Sequence, residues 1–307
     1  MVAGMADGPD TVIGLDGVTK QYCSDVLQAF VWTRKKGMQG LGTVGVGPDS
    51  DSAYWCQIIS YASGIDFLGQ VVGTNDWSGN TYDNGFLWTH AGGMTLLPLG
   101  FYDFWADVTY AINNRGSIVG MGVNCCIMPP SSGHAVLSTK SSVINLGTLG
   151  GADPEFEYCS EATGINDVGR IVGWCTRSPD TEDGTPCLSA ISTHALLWTQ
   201  DGSMQDLGTL PGDTSSQAYR INLFGKVIGI SGNTFNWVYP PGRPTLVGRP
   251  FVWTNKSGMQ DLNTLIRPGS DWVLNSVSDI NIWGQIVGSG SLNGQSHGFL
   301  LTPEKLF

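Results

Sequence analysis

The stretch ATGINDVGRIVG (Ala162–Gly173) is one of six copies of a twelve-residue phrase that contain no insertions. The others are AGMADGPDTVIG (Ala3–Gly14), ASGIDFLGQVVG (Ala62–Gly73), TYAINNRGSIVG (Thr109–Gly120), AYRINLFGKVIG (Ala218–Gly229) and VSDINIWGQIVG (Val277–Gly288). Their last glycines lie 47 to 59 residues apart, a spacing that accommodates one four-stranded sheet per repeat. Within the phrase, A-x-G-I-N reads as a first strand and the terminal V-V-G as a second. Asx at position five and Gly at position eight mark the tight turn between them, one capping its own backbone and the other supplying positive φ.

Two further strands follow each phrase. Third strands are AFVWT (Ala29–Thr33), GFLWT (Gly85–Thr89), HAVLST (His134–Thr139), HALLWT (His194–Thr199), PFVWT (Pro250–Thr254) and HGFLLT (His297–Thr302). Fourth strands are MQGLG (Met38–Gly42), MTLLPLG (Met94–Gly100), VINLG (Val143–Gly147), MQDLG (Met204–Gly208) and MQDLN (Met259–Asn263). Second and third strands are almost continuously apolar, as strands covered on both faces must be. The expected fold is therefore all-β, a six-bladed β-propeller forming a single domain over 1–307. Its blades fall near 1–44, 60–100, 108–150, 160–210, 217–265 and 275–303. After the last third strand only Pro303–Phe307 remains, so four-stranded blades are expected with an incomplete last blade. An open edge of that kind is a template for pairing, here with another copy of the chain.

Composition suits this reading. The chain has 307 residues, 43 glycines and 13% charged residues, and no apolar run approaches the ~18 residues of a membrane span. A net charge of -11 argues against nucleic acid, which requires clustered cations. The densest basic cluster, Arg34-Lys35-Lys36, falls in a tight turn. Met1 runs straight into the first phrase, so removal of a preceding leader is expected.

Because strand directions alternate, the one-to-two and three-to-four turns share one end and are short. The long, dissimilar connections share the other, where function on a rigid scaffold is expected. They include Thr74–Asn84, Trp174–Thr193 and Ile230–Arg249. All seven cysteines lie in them, and the expected bridges are Cys23–Cys56, Cys159 with Cys125 or Cys126, and Cys175–Cys187. Seven cysteines in a lysine-poor chain point to an oxidising compartment. No CxxC spacing or neighbouring histidine supports a metal site, and no cofactor is expected.

The same loops carry aromatic residues among Asp and Asn: Tyr54, Trp55, Trp77, Tyr82, Tyr102, Asp103, Trp105, Asp107, Tyr158, Trp174, Trp237 and Trp272. Flat rings beside carboxylates and amides suit a sugar, and Trp and Tyr equally anchor a protein partner. Each loop could also use its aromatics as a private core. Of four histidines, His134, His194 and His297 open third strands, which points to hydrogen bonding or packing, and His90 lies in a short turn. No histidine falls on the long-loop face, so a Ser-His-Asp triad is not expected. Carboxylate candidates for acid–base work are Asp103 with Asp107, and Glu155 with Glu157 and Glu161. Position five is Asx in all six phrases, from Asp7 to Asn281, which turn capping explains more simply than a cation ring. Arg220 and Asp279 share position three on adjacent repeats and are expected to pair by a central channel.

His194–Asp213, HALLWTQDGSMQDLGTLPGD, followed by a G-I-N-x-x-G-x-V-V-G phrase, resembles the HAF family of extracellular bacterial repeats. HGFLLTP at the C-terminus and GFLWTHAGGM (Gly85–Met94) match the same signature. The resemblance spans nearly the whole chain. It implies a β-propeller and a secreted or surface location, and it transfers no catalytic residue. Ser138 and Leu301 depart from it in replacing the third-strand Trp, as do Arg220 and Asp279 in replacing a small residue. The resulting expectation is an extracellular binding or assembly module using its long-loop face for protein or glycan contact. The competing expectation is a glycan-acting hydrolase or lyase with carboxylate catalysis on that face.

Overall fold

The structure is a computed structural model that describes residues 1–7, 11–13, 20–22, 27–42, 58–77, 83–97, 107–123, 133–149, 159–176, 192–199, 202–236 and 245–304. The fold is all-β and of β-propeller type, a succession of antiparallel sheets that, after the first, are meanders of consecutive strands. Among the described residues the only helical segment is a 3-10 turn at Leu262–Thr264.

The first sheet has the order β1 (Val2–Asp7), β4 (Leu27–Thr33), β5 (Gly37–Gly40), while β2 (Thr11–Ile13) and β3 (Lys20–Tyr22) pair separately. The second sheet holds β6 (Ile58–Ile65), β7 (Val71–Trp77), β8 (Asp83–Thr89) and β9 (Gly93–Leu96). The third holds β10 (Asp107–Ile112), β11 (Ile118–Val123), β12 (Gly133–Ser138) and β13 (Val143–Asn145). The fourth contains β14 (Ser160–Ile165), β15 (Ile171–Thr176), β16 (Thr193–Trp198) and β17 (Met204–Asp206). The fifth contains β18 (Ser215–Ile221), β19 (Val227–Asn236), β20 (Thr245–Thr254) and β21 (Gly258–Asp261). The last has three strands, β22 (Trp272–Ile280), β23 (Ile286–Leu292) and β24 (Gln295–Leu301). Contacts group the chain into two compact units, Met1–Cys126 with Val136–Ile144, and Ile127–Ala135 with Asn145–Phe307.

The phrase folds as its residues require. Asn166 Oδ1 accepts the Arg170 N–H at 2.9 Å, and the Gly169 N–H donates to Asn166 O at 3.0 Å. Gly169 has φ 81°, and Gly69, Gly116, Gly225 and Gly284 take φ 76 to 83° at the same position. Each first strand then bulges at position two, as between Ala62 and Gly64 and between Ala162 and Gly164. The bulge turns a hydroxyl toward the next sheet: Ser63 Oγ donates to Thr109 O at 2.6 Å and Thr163 Oγ1 to Ala218 O at 2.7 Å. The phrase's last glycine must be glycine, because a Cβ on Gly173 would lie 1.8 Å from Glu161 O.

A second seam joins consecutive sheets two residues before the phrase. Ser60 Oγ accepts the Ala29 N–H at 2.8 Å and donates to Gly42 O at 3.1 Å. Ser160 does the same between Ala135 and Gly147, and Ser216 between Ala195 and Gly208. All three serines are buried. Apolar side chains fill the space between sheets: Val172, Leu197 and Leu207 meet Val227, Phe251 and Trp253 in one such core. Burial of these groups is the main stabilising term.

The first sheet departs from expectation. In it β1 occupies the second-strand position: Val2↔Trp32, Ala3↔Val31 and Gly4↔Phe30 reproduce Val71↔Trp88, Val72↔Leu87 and Gly73↔Phe86. Thr11–Ile13, expected there, pairs with Lys20–Tyr22 instead. The sequence supplies the reason. Position eight of the first copy is Asp10 rather than glycine, whereas Val2-Ala3-Gly4 already has the V-x-G form of a phrase ending. Asp7 therefore lies in a strand, opposite Leu27, and not at a phrase turn.

The expected loop Ile230–Arg249 is also mostly strand. The β19–β20 ladder continues to Asn236↔Thr245, and Gly232 pairs with Gly248. A Cβ on Gly248 would sit 2.0 Å from Ser231 O, so these glycines permit close backbone approach.

Candidate functional site

The most distinctive surface lies at β24. In the fourth and fifth sheets, the outer side of the third strand is covered by a fourth. Leu196↔Asp206, Leu197↔Gln205 and Trp198↔Met204 pair β16 with β17, and Phe251↔Asp261 and Trp253↔Met259 pair β20 with β21. In the last sheet β24 pairs only with β23 among the described residues, through Phe299↔Gly288 and Leu301↔Ile286. Leu300 and its partner Val287 are 60% and 40% exposed, on the sheet face that in the fourth and fifth sheets packs against the sheet that follows.

The covered strands show what is missing at this edge. His194 Nδ1 lies 2.8 Å from Asp206 Oδ2, and Arg249 NH1 lies 3.2 Å from Asp261 Oδ2. In both sheets a basic residue two positions before the central pair meets the fourth-strand aspartate. Arg249 NH2 also reaches Asp213 Oδ2 at 2.9 Å, and Ser231 Oγ donates to that oxygen. Met259 packs against the apolar core between the fourth and fifth sheets. At the equivalent place beside β24 is His297, exposed, its ring 6.1 Å edge-on from Trp272. Beside it opens a groove of about 600 Å³ lined by Val252, Leu262, Ile266, Trp272, Phe299 and Leu301. Lys226 and Arg267 add positive charge to its wall. Arg267 Nε stands 3.6 Å from Glu304 Oε1, a fully solvated pair that contributes little.

A buried polar group occupies the fourth and fifth sheets. Glu161 on β14 stands opposite Trp174 on β15. Burial pushes its carboxyl up to about 8, and a hydrogen bond from the Trp174 side chain pulls the other way. Tyr219 is pushed up to about 12, first by burial and then by the Glu161 charge. Arg220 NH1 donates to Thr163 O and Tyr219 O, each at 2.9 Å. Burial lowers its pKa, while the Asp279 charge opposes that shift.

Several expected site residues take other roles. Trp174 is not a loop residue: it lies within β15 at 7% exposure, because the strand runs on to Thr176. Arg220 makes no ion pair with Asp279 within 4 Å; its guanidinium turns back to carbonyls of the fourth and fifth sheets, and Asp279 Oδ1 accepts the Ile280 N–H. Cys175 is a buried thiol whose Sγ donates to Thr176 O at 3.3 Å, so the Cys175–Cys187 bridge is not formed. Its position inside β15 directs the sulfur into the packed sheet. Cys159 is disulfide-bonded. Trp272 begins β22 and lines the groove. Trp77 ends β7 opposite Ile58, and Asp107 begins β10 opposite Gly122. Tyr54, Trp55, Tyr82, Tyr102, Asp103, Trp105, Tyr158, Trp237, Cys23, Cys56, Cys125, Cys126 and Cys187 lie outside the described residues, as do Glu155 and Glu157.

Sequence reading missed exposed apolar side chains at the turns of three phrases. Positions six and seven of the phrase expose Phe67 (83%), Phe224 (76%) and Trp283 (62%), with Leu68 and Ile282 beside them. Apolar pairs at those two positions were the available signal. Among the described residues, no group of three or more His, Cys, Asp or Glu could hold a metal ion, and no helix is long and apolar enough to cross a membrane.

No family model matches this chain, and no curated protein matches it. Among solved structures, XC5397 from Xanthomonas campestris, a gluconolactonase, is similar at a TM-score of 0.42 and 10% identity. That comparison covers 90% of this chain and 79% of that one.

Proposed function

We propose that this chain is an extracellular β-propeller binding and assembly module, its successive meanders forming the six blades of one ring. It contacts protein or glycan partners through its long-loop face and associates with further chains at its open strand edge. The HAF-type repeats carried by His194–Asp213 support the extracellular setting. The observation that carries the reading is the outer edge of β24, bare among the described residues. A strand edge of this kind is a ready template for backbone pairing, and soluble proteins usually blunt it. Sedimentation velocity over a wide concentration range tests assembly. Growth of a dimer or larger species is expected, and Leu300→Pro should suppress it. A single monomeric boundary at every concentration would remove assembly from the reading.

A further inference from the structure

We propose that the β24 edge is a recognition site for an extended peptide segment of a partner chain, of the form apolar–any–aspartate. The segment adds antiparallel to β24 as the missing fourth strand. This rests on the binding-module reading and specifies the partner's chemistry.

Three observations define the segment. The register of β17 on β16 and of β21 on β20 places Met opposite the third-strand Trp and Asp opposite the residue two before it. Carried onto β24, the apolar residue falls opposite Leu301 and the aspartate opposite Phe299. Second, the groove has room and character for the apolar side chain. Its walls Val252, Leu262, Phe299 and Leu301 correspond to the Leu197, Leu207, Phe251 and Trp253 of the core that holds Met259. Third, the aspartate finds a hydrogen-bond partner. His297 occupies the position from which His194 reaches Asp206 and Arg249 reaches Asp261, and it is exposed. The charged residues of the groove, Lys226 and Arg267 against Glu304, leave one net positive charge there.

The backbone is equally prepared. The Leu207 N–H donates to Ala195 O at 2.9 Å, which fixes 195 and 197 as the residues of β16 bonded to the fourth strand. The equivalent groups on β24 are Gly298 O and the Leu300 N–H and C=O, all directed outward. Backbone pairing supplies affinity, and the groove with His297 supplies selectivity.

The test uses the full chain and a fluorescein-labelled peptide of the sequence Gly202–Thr209, GSMQDLGT. Saturable anisotropy is expected. Replacing the peptide's aspartate by asparagine, or His297→Ala in the protein, should each weaken binding about two- to fivefold. The two changes together should cost no more than either alone. Leu300→Pro removes an outward N–H from an edge strand, where proline is tolerated, and should weaken binding about tenfold or more with the melting temperature retained. No binding at millimolar protein, or equal binding to Leu300→Pro and wild type, would overturn the proposal. Binding that appears only after Glu304–Phe307 is deleted would overturn it by assigning the groove to the chain's own tail. Self-association through this edge that excess peptide cannot displace would overturn it in favour of a second copy. A strictly monomeric chain that still binds the peptide would remove assembly alone and leave this site standing.

Discussion

Asn166 donates its side-chain Nδ2 to the backbone oxygen of Asn222, 3.0 Å away in the next sheet. Asn222 repeats the gesture toward Asn281 O at 3.2 Å. One amide thus serves two purposes, since its oxygen caps the local turn while its nitrogen ties that turn to the neighbouring one. Asp66 occupies the same position, and its Oδ1 caps the turn through the Gln70 N–H at 2.8 Å. Its Oδ2 is buried without a hydrogen-bond partner, because a carboxylate oxygen cannot donate where the amide does. Asp66→Asn should therefore stabilise the protein by about 1 to 2 kcal/mol, read as a rise in chemical-denaturation midpoint at unchanged m-value. A loss of stability would show that the position does not share the Asn166 geometry.

Glu161 gives stability a distinct pH dependence. Its carboxyl titrates near 8 when folded against a usual value of 4.5, so between those limits the folded chain holds a proton that the unfolded chain has released. Stability should fall as pH rises from about 4.5 to 8 and the penalty should level off above that. Glu161→Gln keeps an acceptor for Trp174 and removes the charge. It should leave stability nearly unchanged at pH 5 and raise it by up to about 4 to 5 kcal/mol at pH 9. Equal effects at both pH values would contradict a buried, protonated carboxyl.

Ser160 and Ser216 each satisfy one N–H and one carbonyl of the preceding sheet. Alanine at either site strands both partners, at a cost of about 1 to 3 kcal/mol. Hydrogen exchange should then accelerate at Ala135 for Ser160→Ala and at Ala195 for Ser216→Ala. Exchange that stays slow at both amides would mean the serines are dispensable.

Cys159 and Cys175 should separate cleanly in non-reducing peptide mapping. Cys159 is disulfide-bonded and its expected partner is Cys125 or Cys126, whereas the buried Cys175 thiol should be alkylated only after denaturation. A Cys175–Cys187 peptide under native conditions would require β15 to open.

Much of this architecture can be read from residues alone because the phrase contains its own punctuation. Asn166 and Gly169 fix a turn, and the Val172-Gly173 ending fixes the strand that follows, independently of distant contacts. The first copy misleads because Ala3–Gly14 keeps the outline of the phrase without its glycine at position eight, and pairing is then decided by Val2-Ala3-Gly4. Ile230–Arg249 misleads because Gly232 and Gly248 resemble loop residues, although their lack of a Cβ is what allows the two strands to meet. The serine seam and the Arg220 carbonyl contacts depend on which sheet lies alongside, information that no single repeat carries. His297 was recognisable as a recurring strand-opening residue, but its missing carboxylate emerges only against His194–Asp206 and Arg249–Asp261.

The outward pairs Phe67-Leu68, Leu223-Phe224 and Ile282-Trp283 sit on bends capped by the asparagine or aspartate before them and turned by the glycine after them. The most exposed of these side chains, Phe67, Phe224 and Trp283, therefore contribute little to stability. Side chains there can be exchanged one repeat at a time, leaving the scaffold intact while its preferences at those bends are rewritten.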